Sequence, residues 1–309
     1  MANRVYEWVD ERTGVKPALD YVLYRRIPKS VNWFFTLGSA SLTVFLIQAV
    51  SGIFLAMGYT PSTASVCIQA NPDGTCAILS NEALQSLRNT TGTGLGDFGF
   101  WVRGFHHWGA NLMVIVVMLH MLRVFFTGSY KYPRELTWFT GVFILLMVLG
   151  FAFTGYLLPW DNRAYWATQV GVKIGGSAPL LGDAVASILR GGPNLGAATL
   201  TRFYAIHVLL LPALTGLLIG AHLFLIVKIG ISGMPKSQTK DKFNGEFFES
   251  ASASGKKTGR AFFPYIIFKD AVVSLLVVAL IVLATIFWPV DNSNPVDPNN
   301  PISTLQNNS

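Results

Sequence analysis

Two stretches of this chain are apolar, long enough to cross a bilayer, and carry a pair of histidines each. The first, Arg103 to Arg123, reads RGFHHWGANLMVIVVMLHMLR and holds His106 and His120, fourteen residues apart. An α-helix turns about 100° and rises about 1.5 Å per residue, so fourteen residues fall roughly 40° short of four turns and climb roughly 21 Å. The two imidazoles then share one face, near opposite sides of an apolar core about 30 Å thick. His107 fails the same test, being about 100° from His106 and about 140° out of phase with His120. The second stretch, Thr201 to Lys228, holds His207 and His222 fifteen residues apart. On an ideal helix that spacing is roughly 60° out of phase. Pro212 lies between them, and a kink there is expected to absorb part of the error.

Four of the five histidines therefore form two same-face pairs. Ionisable groups inside a membrane are costly and tend to mark function. Neutral imidazole is a common axial ligand of haem iron. Placed side by side, the two helices offer two bis-histidine sites, His106 with His207 and His120 with His222, and the expected cargo is two b-type haems. A proton relay or a non-haem metal site would use the same histidines.

The remainder of the chain fits a membrane protein. It is 51% hydrophobic and 13% charged over 309 residues, which predicts an all-α, polytopic fold. The opening MANRVYEWVDERTGVK is polar and amphipathic and has no cleavable signal pattern. The net charge is +7, but the basic residues lie between apolar spans, so nucleic acid is not an expected partner. Two cysteines cannot build a cysteine-only zinc or iron–sulfur site.

Residues 1–31 form a basic N-terminal segment, with a short amphipathic helix over 3–12. A four-helix core is expected over 32–228, a basic linker over 229–264, and a fifth span with its tail over 265–309. The first span, about Asn32 to Tyr59, carries Gly38 and Gly52, and the third, about Leu136 to Leu158, carries Gly141 and Gly155. Both glycine pairs are fourteen residues apart, the pitch of His106 and His120. Glycine admits a bulky planar group close to the backbone. One such pair is ordinary small-residue packing; two at the histidine pitch point to two cofactors. Residues 60–100 read as a polar loop in which Cys67 and Cys76 bracket the turn Asn71-Pro72-Asp73-Gly74, with a short helix over Asn81 to Arg88. A disulfide or two thiols both fit. Pro179 to Arg190 reads as an amphipathic helix.

The N-terminal segment, the 127–137 loop and the 229–262 linker are rich in Lys and Arg, whereas the 60–100 and 161–200 loops carry fewer for their length. The positive-inside rule then places the N-terminus in the cytoplasm and the C-terminus outside, across five spans. His106 and His207 come out near the outer face, His120 and His222 near the inner.

These motifs together resemble cytochrome b of the quinol-oxidising cytochrome bc and b6f complexes. The resemblance rests on Arg103 ahead of His106, PRELTW at 133–138, TGYLLPWD at 154–161, TLTRFYAIH at 199–207 and GISGMP at 230–235. It implies a haem-binding four-helix bundle plus one further transmembrane helix. His106 and His207 would ligate an outer haem b, and His120 and His222 an inner one. Gly38, Gly52, Gly141 and Gly155 match the haem-packing glycines. Arg103 and Arg202 match arginines near the outer propionates. The outer quinol site would lie near Tyr156, Pro159 and Trp160.

Three departures shape the expectation. The b6 type ends after four spans, whereas this chain enters a fifth, and the Pro-Glu-Trp-Tyr motif of the outer quinol site is absent. A separate subunit carrying the C-terminal helices and that motif is therefore implied. Thr36 stands where the b6 type has the cysteine of a covalent haem c, so none is expected. Val227 replaces the quinone-site histidine of the mitochondrial type, leaving Lys228 and Asp20 as inner-face candidates. The implied function is a subunit of a quinol:cytochrome c (or plastocyanin-type acceptor) oxidoreductase with a Rieske iron–sulfur protein and a cytochrome c-type partner. The complex would be dimeric and sit in a bacterial inner membrane. A dihaem dehydrogenase anchor and a proton-coupled transporter are the competing classes.

Overall fold

The computed structural model describes residues 2–91, 96–233 and 259–290. The described residues are mostly helical. Two short helices, α1 (Ala2–Thr13) and α2 (Val15–Leu23), precede a strand β1 (Arg26–Ile27). A 3-10 turn, Trp33–Thr36, opened by the Asn32 side chain accepting from Phe34 N–H, leads into α3 (Leu37–Gly58). The other long helices are α5 (Phe98–Phe126), α6 (Glu135–Leu157), the run α9 (Ala197–Ala205) to α10 (Leu211–Ile229), and α11 (Tyr265–Phe287). All five have the length and apolar composition to cross a membrane. Their outer faces carry exposed Leu, Phe and Ile, such as Phe126 at 76% and Leu217 at 74%. In water such faces would need cover; in lipid they are solvated.

Two compact units divide the chain, and each long helix contributes one end to each unit. The first unit comprises Met1–Thr43, Ile115–Leu145 and Leu217–Val278. In it Ile27, Val31 and Ile266 form a buried cluster, and β1 pairs with β4 (Arg260–Ala261). Ser39 donates to Asp270 at 2.8 Å, and Thr43 and Ser274 hydroxyls meet at 2.8 Å, fastening α3 to α11. The second unit comprises Val44–Val114, Leu146–Gly216 and Ala279–Ser309. Here Gln48 donates to the Phe105 carbonyl at 3.3 Å, and Gly104 leaves room for Thr285 of α11. Ala83, Trp160 and Leu200 form its buried cluster.

The fourth span differs from its expectation. The chain accommodates Pro212 by a π-helical turn over Ile206–Leu210, in which Leu211 N–H reaches the Ile206 carbonyl. Proline cannot donate to the carbonyl four residues back and crowds it; a wider turn relieves that contact. A π turn also inserts one extra residue, so fifteen residues from His207 to His222 do the angular work of fourteen.

Within the expected 60–100 loop, residues 65–91 form regular structure. β2 (Ser65–Ala70) and β3 (Cys76–Asn81) form an antiparallel hairpin around the expected turn, closed by a Cys67–Cys76 disulfide. Helix α4 (Glu82–Thr91) follows. The helices α7 (Asn162–Gly176) and α8 (Gly182–Arg190) fill the second long connection. Most of the basic linker (234–258, with Lys236, Lys240, Lys242, Lys256 and Lys257) and the tail at 291–309 lie outside the described residues.

Candidate functional site

Each compact unit contains one histidine pair. In the second unit, α5 presents His106 and the π turn presents His207, with ring centroids 6.4 Å apart and planes at 73°. Ser51 Oγ lies 3.0 Å from His106 Nδ1, and Thr154 Oγ1 lies 2.9 Å from His207 Nδ1. Each hydroxyl spends its hydrogen on its own helix. Ser51 donates to the Ile47 carbonyl at 2.6 Å, and Thr154 to the Gly150 carbonyl at 2.7 Å. A hydroxyl has one hydrogen, so towards the imidazole it can only accept. Nδ1 is then the protonated nitrogen, and the lone pair is left on Nε2, the state in which imidazole binds a metal.

Glycines stand behind both rings. A Cβ on Gly52 would lie 3.1 Å from His106 Cε1, and one on Gly155 would lie 2.6 Å from His207 Cε1. At these glycines the helix backbone lies close to a histidine ring. Phe151 packs edge-on to His207, with centroids 5.4 Å apart.

The first unit repeats the plan with one omission. Thr140 Oγ1 lies 2.9 Å from His222 Nδ1 and donates to the Thr137 carbonyl at 2.9 Å. Gly141 would place a Cβ 3.4 Å from His222 Cε1, and Gly38 one 3.2 Å from His120 Cε1. In three cases the hydroxyl immediately precedes the glycine: Ser51-Gly52, Thr140-Gly141, Thr154-Gly155. Before Gly38 stands Leu37, and His120 Nδ1 is buried with no hydrogen-bond partner.

The pairs suit haem. No group of three or more His, Cys, Asp or Glu that could hold an ion occurs among the described residues, so protein-only metal cages have no donor set there. A two-ligand site matches haem, whose iron draws its other donors from the macrocycle. Metal–imidazole bonds are about 2.0–2.1 Å, so two of them span about 4 Å. With the distance from each nitrogen to its ring centre added, that agrees with the 6.4 Å between the His106 and His207 rings.

A profile described as cytochrome b (N-terminal)/b6/petB matches residues 111–295. The menaquinol:cytochrome c reductase cytochrome b subunit of Bacillus subtilis (strain 168) is 42% identical over 241 residues, covering 75% of this chain and 99% of that protein. Cytochrome b6 of Synechococcus sp. (strain JA-3-3Ab) is 39% identical over 231 residues, with the same coverage of 75% and 99%. The chain belongs to the cytochrome b/b6 family. A chain of a solved hyperthermophilic respiratory Complex III superposes with a TM-score of 0.75 at 27% identity, over 95% of this chain and 71% of that one.

The remaining expected residues of this cytochrome b take varied positions. Trp160 is buried, at a positive φ of 48°, and its carbonyl accepts from Asn81 Nδ2 at 2.8 Å. The Tyr59 hydroxyl donates to the Leu158 carbonyl at 2.5 Å. Burial, and then the neighbouring Tyr204, hold the Tyr59 phenol well above its ordinary pKa, so it stays a donor. The TGYLLPWD turn is therefore pinned from two sides. Pro159 is half-buried and Tyr156 exposed beside it. Arg103 is half-buried three residues before His106. Arg202 is exposed and donates to the Ser187 and Ile188 carbonyls at the end of α8. His107 is exposed, as its phase requires. Asp20 and Lys228 are exposed, and Thr36 bonds the Trp33 carbonyl at 2.6 Å.

Two residues escaped the sequence reading. Arg123 follows His120 by three residues, with its guanidinium 4.3 Å from the Phe35 ring centroid and its Nε buried without a partner. Its signal was the i, i+3 spacing, which puts it over the histidine on the same face. Asp270, bonded to Ser39 beside Gly38, is a carboxylate inside an apolar helix, and that placement alone marks it as a functional candidate.

Proposed function

We propose that this chain is the dihaem cytochrome b subunit of a quinol:cytochrome c (or plastocyanin-type acceptor) oxidoreductase. The reading is carried by the hydroxyl-directed imidazoles: three of four histidines have their Nδ1 hydrogen bonded away, leaving Nε2 as a ligand nitrogen. His106 and His207 hold one haem, and His120 and His222 the other. Bound haem supplies reversible one-electron transfer between the two faces of the membrane.

The chain's own groups do the placing. Glycines let the rings sit against the helices, hydroxyls fix ring orientation, and the apolar helices exclude water from around the ligands. Arg103 and Arg202 serve the outer propionates, and Arg123, a half-buried cation with an unpaired Nε, serves the inner ones by charge-assisted hydrogen bonds. The pinned Tyr156–Trp160 turn forms one wall of the outer quinol site. Asp270 is better placed than the exposed Asp20 and Lys228 to meet a quinone at the inner end. Quinol is oxidised at the outer face and quinone reduced at the inner, with protons released outside and taken up inside. A Rieske protein and a cytochrome c-type subunit accept electrons, and a separate subunit brings the remaining helices and the Pro-Glu-Trp-Tyr motif to a dimeric complex. The bacterial inner membrane, with the N-terminus cytoplasmic, suits the basic loops, and the Cys67–Cys76 disulfide suits the oxidising side.

The test is a difference spectrum of the purified complex with haem extraction. Two acid–acetone-extractable b-type components are expected, and His120→Ala removes one while sparing most of the other. Equal loss of both components would undo the pairing.

A further inference from the structure

The odd position among the four histidines is Leu37. We infer that Leu37 denies His120 the acceptor to which the other three histidines donate their Nδ1 hydrogen, and that it thereby makes His120 the weakest electron donor of the four. The inference rests on the dihaem reading and deepens it by assigning a positioning role to one side chain.

The register makes the omission specific. Ser51, Thr140 and Thr154 each precede a glycine that abuts a histidine ring, and each hydroxyl reaches that histidine's Nδ1 at 2.9–3.0 Å. Leu37 holds the same position before Gly38, whose Cβ would lie 3.2 Å from His120 Cε1. A leucine there has nothing to accept with, and the His120 Nδ1 is buried without another partner. The Arg123 guanidinium, three residues on, has no acceptor to offer, and the contacts of Ser39 Oγ are with Asp270 and the Thr36 carbonyl.

A hydrogen bond from Nδ1–H to an acceptor raises the basicity of the ligating Nε2. A more basic ligand favours ferric over ferrous iron. The His106–His207 site has two such bonds, whereas the His120–His222 site has one. The missing bond tips the His120–His222 site towards the ferrous state.

The experiment is Leu37→Ser in the full complex, read by potentiometric optical titration and by the low-temperature EPR line of each ferric component. Serine restores an acceptor on the same helical register. The component that His120→Ala removes should move to lower potential and shift its EPR line, while the other stays in place. The bond is made in both oxidation states, so one worth about 1 kcal/mol changes the ferric-to-ferrous ratio by at most about fivefold, or about 40 mV given about 59 mV per tenfold for one electron. Ser51→Ala is the reciprocal variant, expected to raise the potential of the other component by a similar factor. Two wild-type haems with no shift in Leu37→Ser, or equal shifts of both, overturn this inference and leave the dihaem reading standing. A wild-type complex without haem overturns both.

Discussion

Around His106 and His207 both imidazoles lean on hydroxyls, and a Cβ added to their two glycines would lie 3.1 and 2.6 Å from the ring. Around His120 and His222 a single hydroxyl serves, and the glycines stand 3.2 and 3.4 Å off by the same measure. Equal spacing in the sequence has produced two sites of one design and unequal tightness. The carrier helices differ as well: His207 sits in a π turn, whereas His222 sits in regular α-helix. Ring position, ring orientation and helical phase are thus set by three separate devices, the glycine, the residue before it, and the π turn. Each can be perturbed alone.

Helical phase carries the largest expected effect. Deleting Leu209, an exposed residue within the π turn, lets that turn relax to α-helix, and both haems are expected to remain. Deleting Leu217, also exposed but in the α-helical part, turns His222 by about 100° relative to His207 unless the buried Leu211 and Thr215 are dragged out of register. Loss of one haem is expected. Haem per protein in the two deletions is the measurement, and equal retention would show that the π turn is not what reconciles fifteen residues with fourteen.

Ring clearance comes next. Overpacking costs about 1–3 kcal/mol, roughly 5- to 150-fold in occupancy at 1.4 kcal/mol per tenfold. Gly155→Ala should approach the upper end, because its Cβ would lie 2.6 Å from a ring also held by Thr154 and Phe151. Gly141→Ala, at 3.4 Å, should fall near the lower end. Haem retention on dilution into detergent ranks them. The opposite ranking would mean that the rings, and not the helix backbones, yield.

The sequence showed the five spans, the histidine pairs and the glycine partners because each obeys helical periodicity on an apolar background. It showed less of what periodicity does not encode. The hydroxyls of Ser51, Thr140 and Thr154 look like ordinary small polar residues in a span, and only contact with a ring on another helix separates them from Leu37. The extra residue before His222 is visible, but Pro212 by itself predicts a kink, and a π turn has no compositional mark. The Ser65–Asn81 hairpin was hidden by its polarity; a turn was legible at Asn71–Gly74, and the pairing of its arms was not. Arg123 and Asp270 escaped the sequence reading, although the spacing of one to His120 and the apolar surroundings of the other carry a signal.

The smallest expected effect separates the hairpin from the histidine sites. The Cys67–Cys76 bond closes a short loop, with nine residues of sequence separation, and such cross-links act mainly by restricting the unfolded segment, typically by about 2–4 kcal/mol. Asn81, at the end of the same hairpin, donates its amide to the Trp160 carbonyl, so the hairpin is tied to the TGYLLPWD turn. Replacing both cysteines by serine should therefore leave haem content and both potentials unchanged, while protease added to the outer face cuts the hairpin faster. A wild-type hairpin labelled after reduction by a membrane-impermeant thiol reagent from the outer side, and from that side alone, would place the Tyr156–Trp160 wall on the same face. A shift of either haem in the double serine variant would show that the hairpin is coupled to the ligands through Trp160, and the independence of the three devices would then fail at the His106–His207 site first, because Thr154 and Gly155 lie on the helix that leads into that turn.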